Sequence, residues 1–103
     1  MDALFELEED MYDVVADAAD LDRGADALKA WLVANADEIR EVQRDAARER
    51  GSDVSKTTRV NWTYRLHVAS ERLKRLDPNA TWWKHERLAA LFQWFTNPTG
   101  PVP

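Results

Sequence analysis

The sequence contains no cysteine, and this absence excludes disulfides, thiol nucleophiles and thiolate metal sites. Its three glycines are too few and too scattered for a glycine-rich phosphate loop. No apolar run is long enough to cross a bilayer. The first residues are acidic, whereas a secretory signal begins with basic residues. We therefore expect a cytoplasmic protein that has no membrane partner.

Known catalytic and metal-binding motifs are also missing. His85 and Glu86 begin like the zinc signature H-E-x-x-H, but Ala89 stands where the second histidine ligand belongs. Ser70 lies within one helical turn of His67, yet no pattern indicates a pocket or an oxyanion hole. The sequence therefore predicts a protein that is not an enzyme and that uses no cofactor, no metal and no small-molecule substrate.

Apolar residues recur every three or four positions along most of the chain, which is the spacing of amphipathic helices. Glycine and proline separate the helical segments, and we expect helices over about residues 3–20, 24–50, 55–76 and 80–96. The proline-rich residues 97–103 predict a short extended C-terminal tail. The sequence therefore predicts an all-α fold, a small bundle of three to four helices that forms one domain over residues 1–96.

Asn35 lies in the apolar seam of the second predicted helix and has two interpretations. It is either a buried amide within one long helix or an N-cap that divides the segment, with Glu38 three residues later. We favour one continuous or slightly bent helix.

Charge is distributed unevenly along the chain, whose net charge is −5. Residues 1–26 carry a net charge of −9, and residues 51–103 carry +4. The two ends either face each other within one bundle and neutralise, or one of them forms an interaction surface. The acidic face of the first predicted helix consists of Asp10, Asp13, Asp17 and Asp20.

The third predicted helix carries two apolar stripes with a basic ridge between them. Its core seam contains Trp62, Leu66, Ala69, Leu73 and Leu76. A second stripe, with Val60, Tyr64 and Val68, indicates either a central helix or an additional partner. The ridge offers hydrogen-bond donors and no carboxylate, which suits contact with nucleic-acid phosphates. It consists of Lys56, Arg59, Thr63, His67, Ser70 and Lys74.

Five tryptophans in 103 residues supply more aromatic area than so small a core encloses. Trp82 and Trp83 are adjacent, so their side chains diverge by about 100° on a helix. Tryptophan is enriched at the energetic centres of protein interfaces. We therefore expect contact with another protein, or with a second copy of the chain, through Val60, Tyr64, Val68, Trp82, Trp83 and Trp94.

Residues 46–60 resemble the helix-turn-helix reader of prokaryotic regulators. Ala46-Ala47-Arg48-Glu49-Arg50-Gly51 looks like the alanine-bearing helix that ends at a turn glycine, and Val54-Ser55-Lys56-Thr57-Thr58 looks like the start of the recognition helix. Two extra residues, Ser52 and Asp53, lengthen the turn, and Arg50 stands where an apolar residue normally packs. The resemblance implies DNA binding by a regulator.

These features favour a non-catalytic helical subunit or adaptor of a larger nucleoprotein assembly. It would dock on protein through its aromatic surface and contact nucleic-acid backbone through the ridge of the third helix. One alternative is an acidic mimic of nucleic acid that binds a basic cleft of a host or defence protein. Another alternative is a helix-turn-helix DNA-binding regulator.

Overall fold

The computed structural model describes residues 3–50, 65–79 and 81–103, without the side chains of residues 49 and 50. Its α-helices are α1 (Ala3–Ala16), α2 (Leu21–Ala34), α3 (Ala36–Arg50), α4 (residues 65–73 of the described range) and α5 (Glu86–Thr96). A 3₁₀ helix, Trp82–Lys84, precedes α5. These ranges contain no strand, and the predicted all-α class is confirmed. The predicted number of helices is wrong, because the described ranges already contain five α-helices.

The break between the first two helices lies at Asp20 and not at Gly24. α1 ends at Ala16, and Asp20 has the extended backbone of an N-cap residue, with φ −155° and ψ 176°. The Asp20 carboxylate accepts the backbone N–H of Arg23 at 2.8 Å. This bond satisfies one of the donors that a helix start leaves free. Gly24 is therefore an interior residue of α2, which begins three residues earlier than predicted.

Asn35 interrupts the segment that we predicted as one continuous or slightly bent helix. α2 ends at Ala34 and α3 begins at Ala36, whereas Asn35 has φ −113° and ψ 14°. Its side-chain amide and its backbone N–H both donate to the Trp31 carbonyl, at 2.8 and 3.0 Å. The segment is thus divided by Asn35 as the C-cap of α2, because its amide satisfies a carbonyl of the last turn. The predicted N-cap pairing with Glu38 is not the arrangement observed.

The apolar core receives side chains from each of the five α-helices. Its largest fully buried side chains are Val15, Leu28, Leu32, Ile39, Leu73, Leu88 and Phe95. A buried hydrogen bond from Gln43 Nε2 to the Phe95 carbonyl, 2.7 Å long, joins α3 to α5. In the predicted seam of the third helix, Ala69 and Leu73 are buried, but Leu66 is 38% exposed. No helix of the described ranges is long and apolar enough to span a membrane.

Residues 97–103 contain no helix and pack back on the bundle. Gly100 has φ 71°, a conformation that favours glycine, and it turns the chain. Its carbonyl accepts hydrogen bonds from Trp94 Nε1 and from Arg40, each at 3.2 Å. Val102 packs against the core. The predicted tail is therefore turned at Gly100 and held by α3 and α5.

Gly24 permits the close approach of α1 and α2. A Cβ atom at this position would lie 2.9 Å from Cγ1 and 3.3 Å from the carbonyl oxygen of Val15. Val15 is fully buried and β-branched, so its side chain has little freedom to move aside. The absence of a side chain at Gly24 is therefore a packing requirement.

We expect Gly24→Ala to destabilise the fold. Helix propensity alone would favour alanine by about 1 kcal/mol, but overpacking against Val15 reverses the sign and leaves a net loss of about 1 to 2 kcal/mol. Urea unfolding monitored by circular dichroism measures the difference. The cost of Gly24→Ala becomes smaller in a Val15→Ala background, where Cγ1 is gone. A more stable Gly24→Ala protein would contradict the packing argument.

Candidate functional site

An apolar groove of about 430 Å³ lies between α1, α4, α5 and the 3₁₀ helix. On one side, α1 contributes Glu8, Met11 and Tyr12. The opposite wall is a face of α5 that contains Ala89, Phe92, Gln93 and Thr96. The lining is completed by Phe95 of α5, by Arg65 and Leu66 of α4, and by Trp82 and Trp83 of the 3₁₀ helix. We call this feature the aromatic groove.

The aromatic rings of the groove are fixed by contacts with one another. Phe92 lies 5.8 Å from Tyr12 and 5.1 Å from Trp82, measured between ring centroids. The Trp82–Phe92 contact is edge-to-face, which is a favoured geometry for aromatic pairs. Trp82 Nε1 donates a hydrogen bond to the Ser70 hydroxyl at 3.4 Å. The floor of the groove is therefore preorganised by the core.

The rim of the groove exposes two large apolar side chains. Trp83 is 45% exposed, although its ring makes an edge-to-face contact with Trp82 at 5.8 Å. Leu66 is 38% exposed. Large apolar side chains beside a concave apolar surface are typical of binding sites.

A nearly buried ion pair lies at one edge of the groove. Arg65 Nε approaches Glu8 Oε1 at 2.9 Å, and the two side chains are only 21% and 9% exposed. Burial of the phenol and, to a lesser degree, the Glu8 carboxylate raise the pKa of Tyr12 above its ordinary range, while Arg65 lowers it in part. The phenol therefore stays protonated well into alkaline conditions.

We expect Arg65→Met to lower the free energy of unfolding by about 3 kcal/mol, because it removes the cation that pairs with a nearly buried carboxylate. The matched control is Lys74→Met, which breaks the exposed 3.8 Å pair with Glu71 and costs less than about 0.5 kcal/mol. Urea unfolding of both variants gives the comparison. Equal losses would show that the Glu8–Arg65 pair is no more important than a surface contact.

We also expect Tyr12 to destabilise the folded state at alkaline pH. Below the ordinary tyrosine pKa of about 10, Tyr12 is protonated in both states and contributes its full stability. Above it, the unfolded chain releases the proton and the folded chain retains it. Stability then falls by up to about 1.4 kcal/mol per pH unit from this group.

Urea unfolding at neutral pH and near pH 11, about one unit above the ordinary tyrosine pKa, measures this component. We expect Tyr12→Phe to lose less stability than the unsubstituted protein between the two conditions. Identical losses for both proteins would refute a raised Tyr12 pKa.

Within the described ranges, the acidic N-terminal and basic C-terminal parts face each other, as one of our two interpretations of the charge asymmetry predicts. Their contacts range from 2.6 to 3.5 Å and join Glu8 to Arg65, Glu9 and Asp13 to Arg72, Asp22 to His85, and Asp26 to Arg87. Arg75 donates to the carbonyls of Ala16 and Ala18, where α1 has ended. A cation there offsets the negative end of the helix dipole.

The predicted nucleic-acid ridge falls only partly within the described residues. Lys56, Arg59 and Thr63 lie outside them. Of the other members, His67 and Lys74 are exposed, and Ser70 is half-buried. Lys74 pairs with Glu71 at 3.8 Å, and Ser70 accepts the Trp82 hydrogen bond. The described half of the ridge therefore presents His67 and a partly neutralised Lys74.

The residues predicted to contact a partner separate into core and surface. Val60, Tyr64 and also Trp62 lie outside the described residues. Trp82 and Trp94 are 7% and 5% exposed, and Val68 packs against the core, so these three side chains pack within the chain's own fold. Trp82 also lines the aromatic groove. Among the predicted partner-contact residues that the structure describes, Trp83 is the exposed one.

Two of the four residues on the predicted acidic face have structural roles. Asp13 pairs with Arg72, and Asp20 caps α2. Asp10 and Asp17 are exposed, and neither makes an ion pair among the described residues.

Sequence reasoning missed Glu8 and Leu66 as groove residues. Glu8 lies four positions from both Leu4 and Tyr12, on the apolar face of α1, and an acid in that position signals a buried partner. No comparable signal distinguishes Leu66, because its spacing is that of a core residue.

The chain matches no protein-family model, no curated protein and no solved structure. In the described ranges, no three histidine, aspartate or glutamate side chains lie close enough together to hold a metal ion. The aromatic groove is the feature of these ranges that is best suited to binding.

Proposed function

We propose that this chain is a non-catalytic adaptor whose aromatic groove receives an amphipathic helix of a partner protein. The observation that carries the proposal is the pair of helical stripes that face the groove. From α1 they are residues 8, 11 and 12, and from α5 they are residues 89, 92, 93 and 96. Such i, i+3, i+4 and i+7 spacing is the pattern by which one helix packs against another.

The dimensions of the groove suit a helical occupant. Along α5, the lining runs from Ala89 to Thr96, a distance of about 10 Å or two helical turns. A partner helix would place large apolar side chains at i and i+4 into this length. Trp83 and Leu66 at the rim would pack against its flanks, and their burial would supply the hydrophobic driving force.

The charges beside the groove support a partner with a particular pattern. Arg65 already pairs with Glu8 through Nε, so its charge is partly neutralised. Lys84, next to Trp83, is exposed and makes no ion pair among the described residues. We therefore expect the partner helix to carry an acidic residue beside its apolar face, close to Trp83.

Contact with nucleic acid stays a prediction. Two arginines after Arg65 already contact other parts of the chain: Arg72 pairs with Asp13 of α1, and Arg75 donates to the Ala18 carbonyl. Phosphate contact by the third predicted helix, residues 55–76, would therefore depend on Lys56, Arg59, His67 and Lys74. The regulator and mimic alternatives have no further support from the described residues.

Photo-cross-linking at position 66 tests the proposed helix-binding role. A benzoylphenylalanine in place of Leu66 is irradiated in a native extract, and the cross-linked segment is identified by mass spectrometry. A synthetic peptide of that segment is then titrated with the purified protein. We expect the segment to be an amphipathic helix that gains helicity on binding, and Trp83→Ala to weaken its binding at least about tenfold.

Val33→Ala is the matched control, because Val33 is 58% exposed on α2 and does not line the groove. It should leave peptide binding unchanged. A cross-linked segment without helical amphipathicity, a small molecule in place of a protein, or equal effects of the two substitutions would refute the proposal. So would the absence of any cross-link, as when the chain itself fills the groove.

A further inference from the structure

A second cleft lies at the C-terminal end of α5 and is lined by cationic and neutral polar groups. Its volume is about 450 Å³, and it lies between α3 and the segment that follows α5. Arg40 and Arg44, one turn apart on α3, form one wall, and Thr96, Asn97 and Thr99 form the other. None of the described residues that line it is acidic.

Arg40 is held in place by three contacts. Its guanidinium donates to Asp37 at 3.3 Å and to the Gly100 carbonyl at 3.2 Å, and it lies over the Trp94 ring at 5.5 Å. These hydrogen bonds use two of the five N–H groups of an arginine. The guanidinium is therefore positioned in advance and keeps donors for a ligand.

Arg44 has no such role in the fold. It is exposed, and among the described residues it makes no hydrogen bond or ion pair. Cations near the end of a helix often satisfy its last carbonyls, but here those carbonyls have other donors.

Three carbonyls in the last turn of α5 accept hydrogen bonds from groups other than Arg44. The Gln93 carbonyl accepts the Thr96 hydroxyl and the Asn97 N–H, at 2.8 and 3.1 Å. The Trp94 carbonyl accepts the same N–H at 3.2 Å, and the Phe95 carbonyl accepts Gln43 Nε2. Neither capping nor an ion pair accounts for an arginine at position 44.

We propose that this cleft binds the phosphate group of a small phosphomonoester, between the guanidinium groups of Arg40 and Arg44. Arginine forks match the geometry of phosphate oxygens, and the Asn97 amide and Thr99 hydroxyl supply neutral donors opposite them. The volume lies in the range of sites that take a small organic ligand. This cleft shares Thr96 with the aromatic groove, and neither arginine lines that groove.

The charges favour a compact anion over a polymer. The whole chain has a net charge of −5, which repels a polyanion at long range. The positive groups of the cleft are confined to two arginines one turn apart, and the acids Glu41 and Asp45 are interleaved with them along α3. A single dianionic group takes both guanidinium contacts without approaching the acidic residues of α1.

Nuclear magnetic resonance titration with adenosine 5′-monophosphate tests this inference, with adenosine as the matched ligand that lacks phosphate. We expect the monophosphate to shift the backbone amide resonances of Asn97 and Thr99 to saturation, and adenosine to leave them unchanged. Arg44→Gln should weaken binding about tenfold, the effect of losing one charge-assisted contact. Because Arg44 is exposed and unpaired in the described ranges, this variant is expected to fold, which circular dichroism verifies.

Arg48→Gln is the matched control variant. It removes the same charge from the same helix, but Arg48 does not line the cleft and pairs with Asp45 at 3.8 Å. Its affinity for the monophosphate should equal that of the unsubstituted protein. Equal weakening by both variants would reduce the effect to general charge. Shifts with adenosine alone, no saturable shift, or tighter binding of a single-stranded oligonucleotide than of the monophosphate would overturn the inference.

Discussion

Arginine contacts along α1 are the interaction on which the rest of the described structure depends. Arg65 reaches Glu8, and Arg72 reaches Glu9 and Asp13. Arg75 reaches the carbonyls at the C-terminal end of α1. The contacts advance in the same direction along both segments. They hold α4 against α1, and this placement opens the aromatic groove between α1 and α5. These contacts use Arg65, Arg72 and Arg75, none of which belongs to the ridge that the sequence suggested for phosphate binding.

Periodicity predicted the helical class correctly because each helix needs an apolar face to bury. The helix boundaries were harder to predict, because a glycine in a helix interior and a glycine at a break look alike in sequence. Position 24, in the interior of α2, is occupied by glycine because α1 passes too close for a side chain. No local sequence pattern encodes that proximity. At Asn35 the sequence allowed two local hydrogen-bond patterns, an N-cap paired with Glu38 or a buried amide. In the structure the side-chain amide donates to the Trp31 carbonyl and caps α2.

The candidate site was predictable only in its chemistry. An excess of tryptophan indicated apolar surface, but the sequence could not show which indole stays outside. Trp94 is enclosed by the turned tail and Trp82 by Phe92, so Trp83 is left at the surface. Leu66 has the spacing of a core residue, but it lines the groove and is 38% exposed. Long-range packing decides these outcomes, and periodicity carries no information about it.

The turn at Gly100 gives the last residues of the chain a structural role. One carbonyl there accepts hydrogen bonds from both α3 and α5, through Arg40 and Trp94. Removal of the chain from this residue onward would release Arg40 and uncover an indole that is 5% exposed. Such a truncation would thus expose new apolar surface, and the turn at Gly100 is part of the folded domain and not an appendage to it.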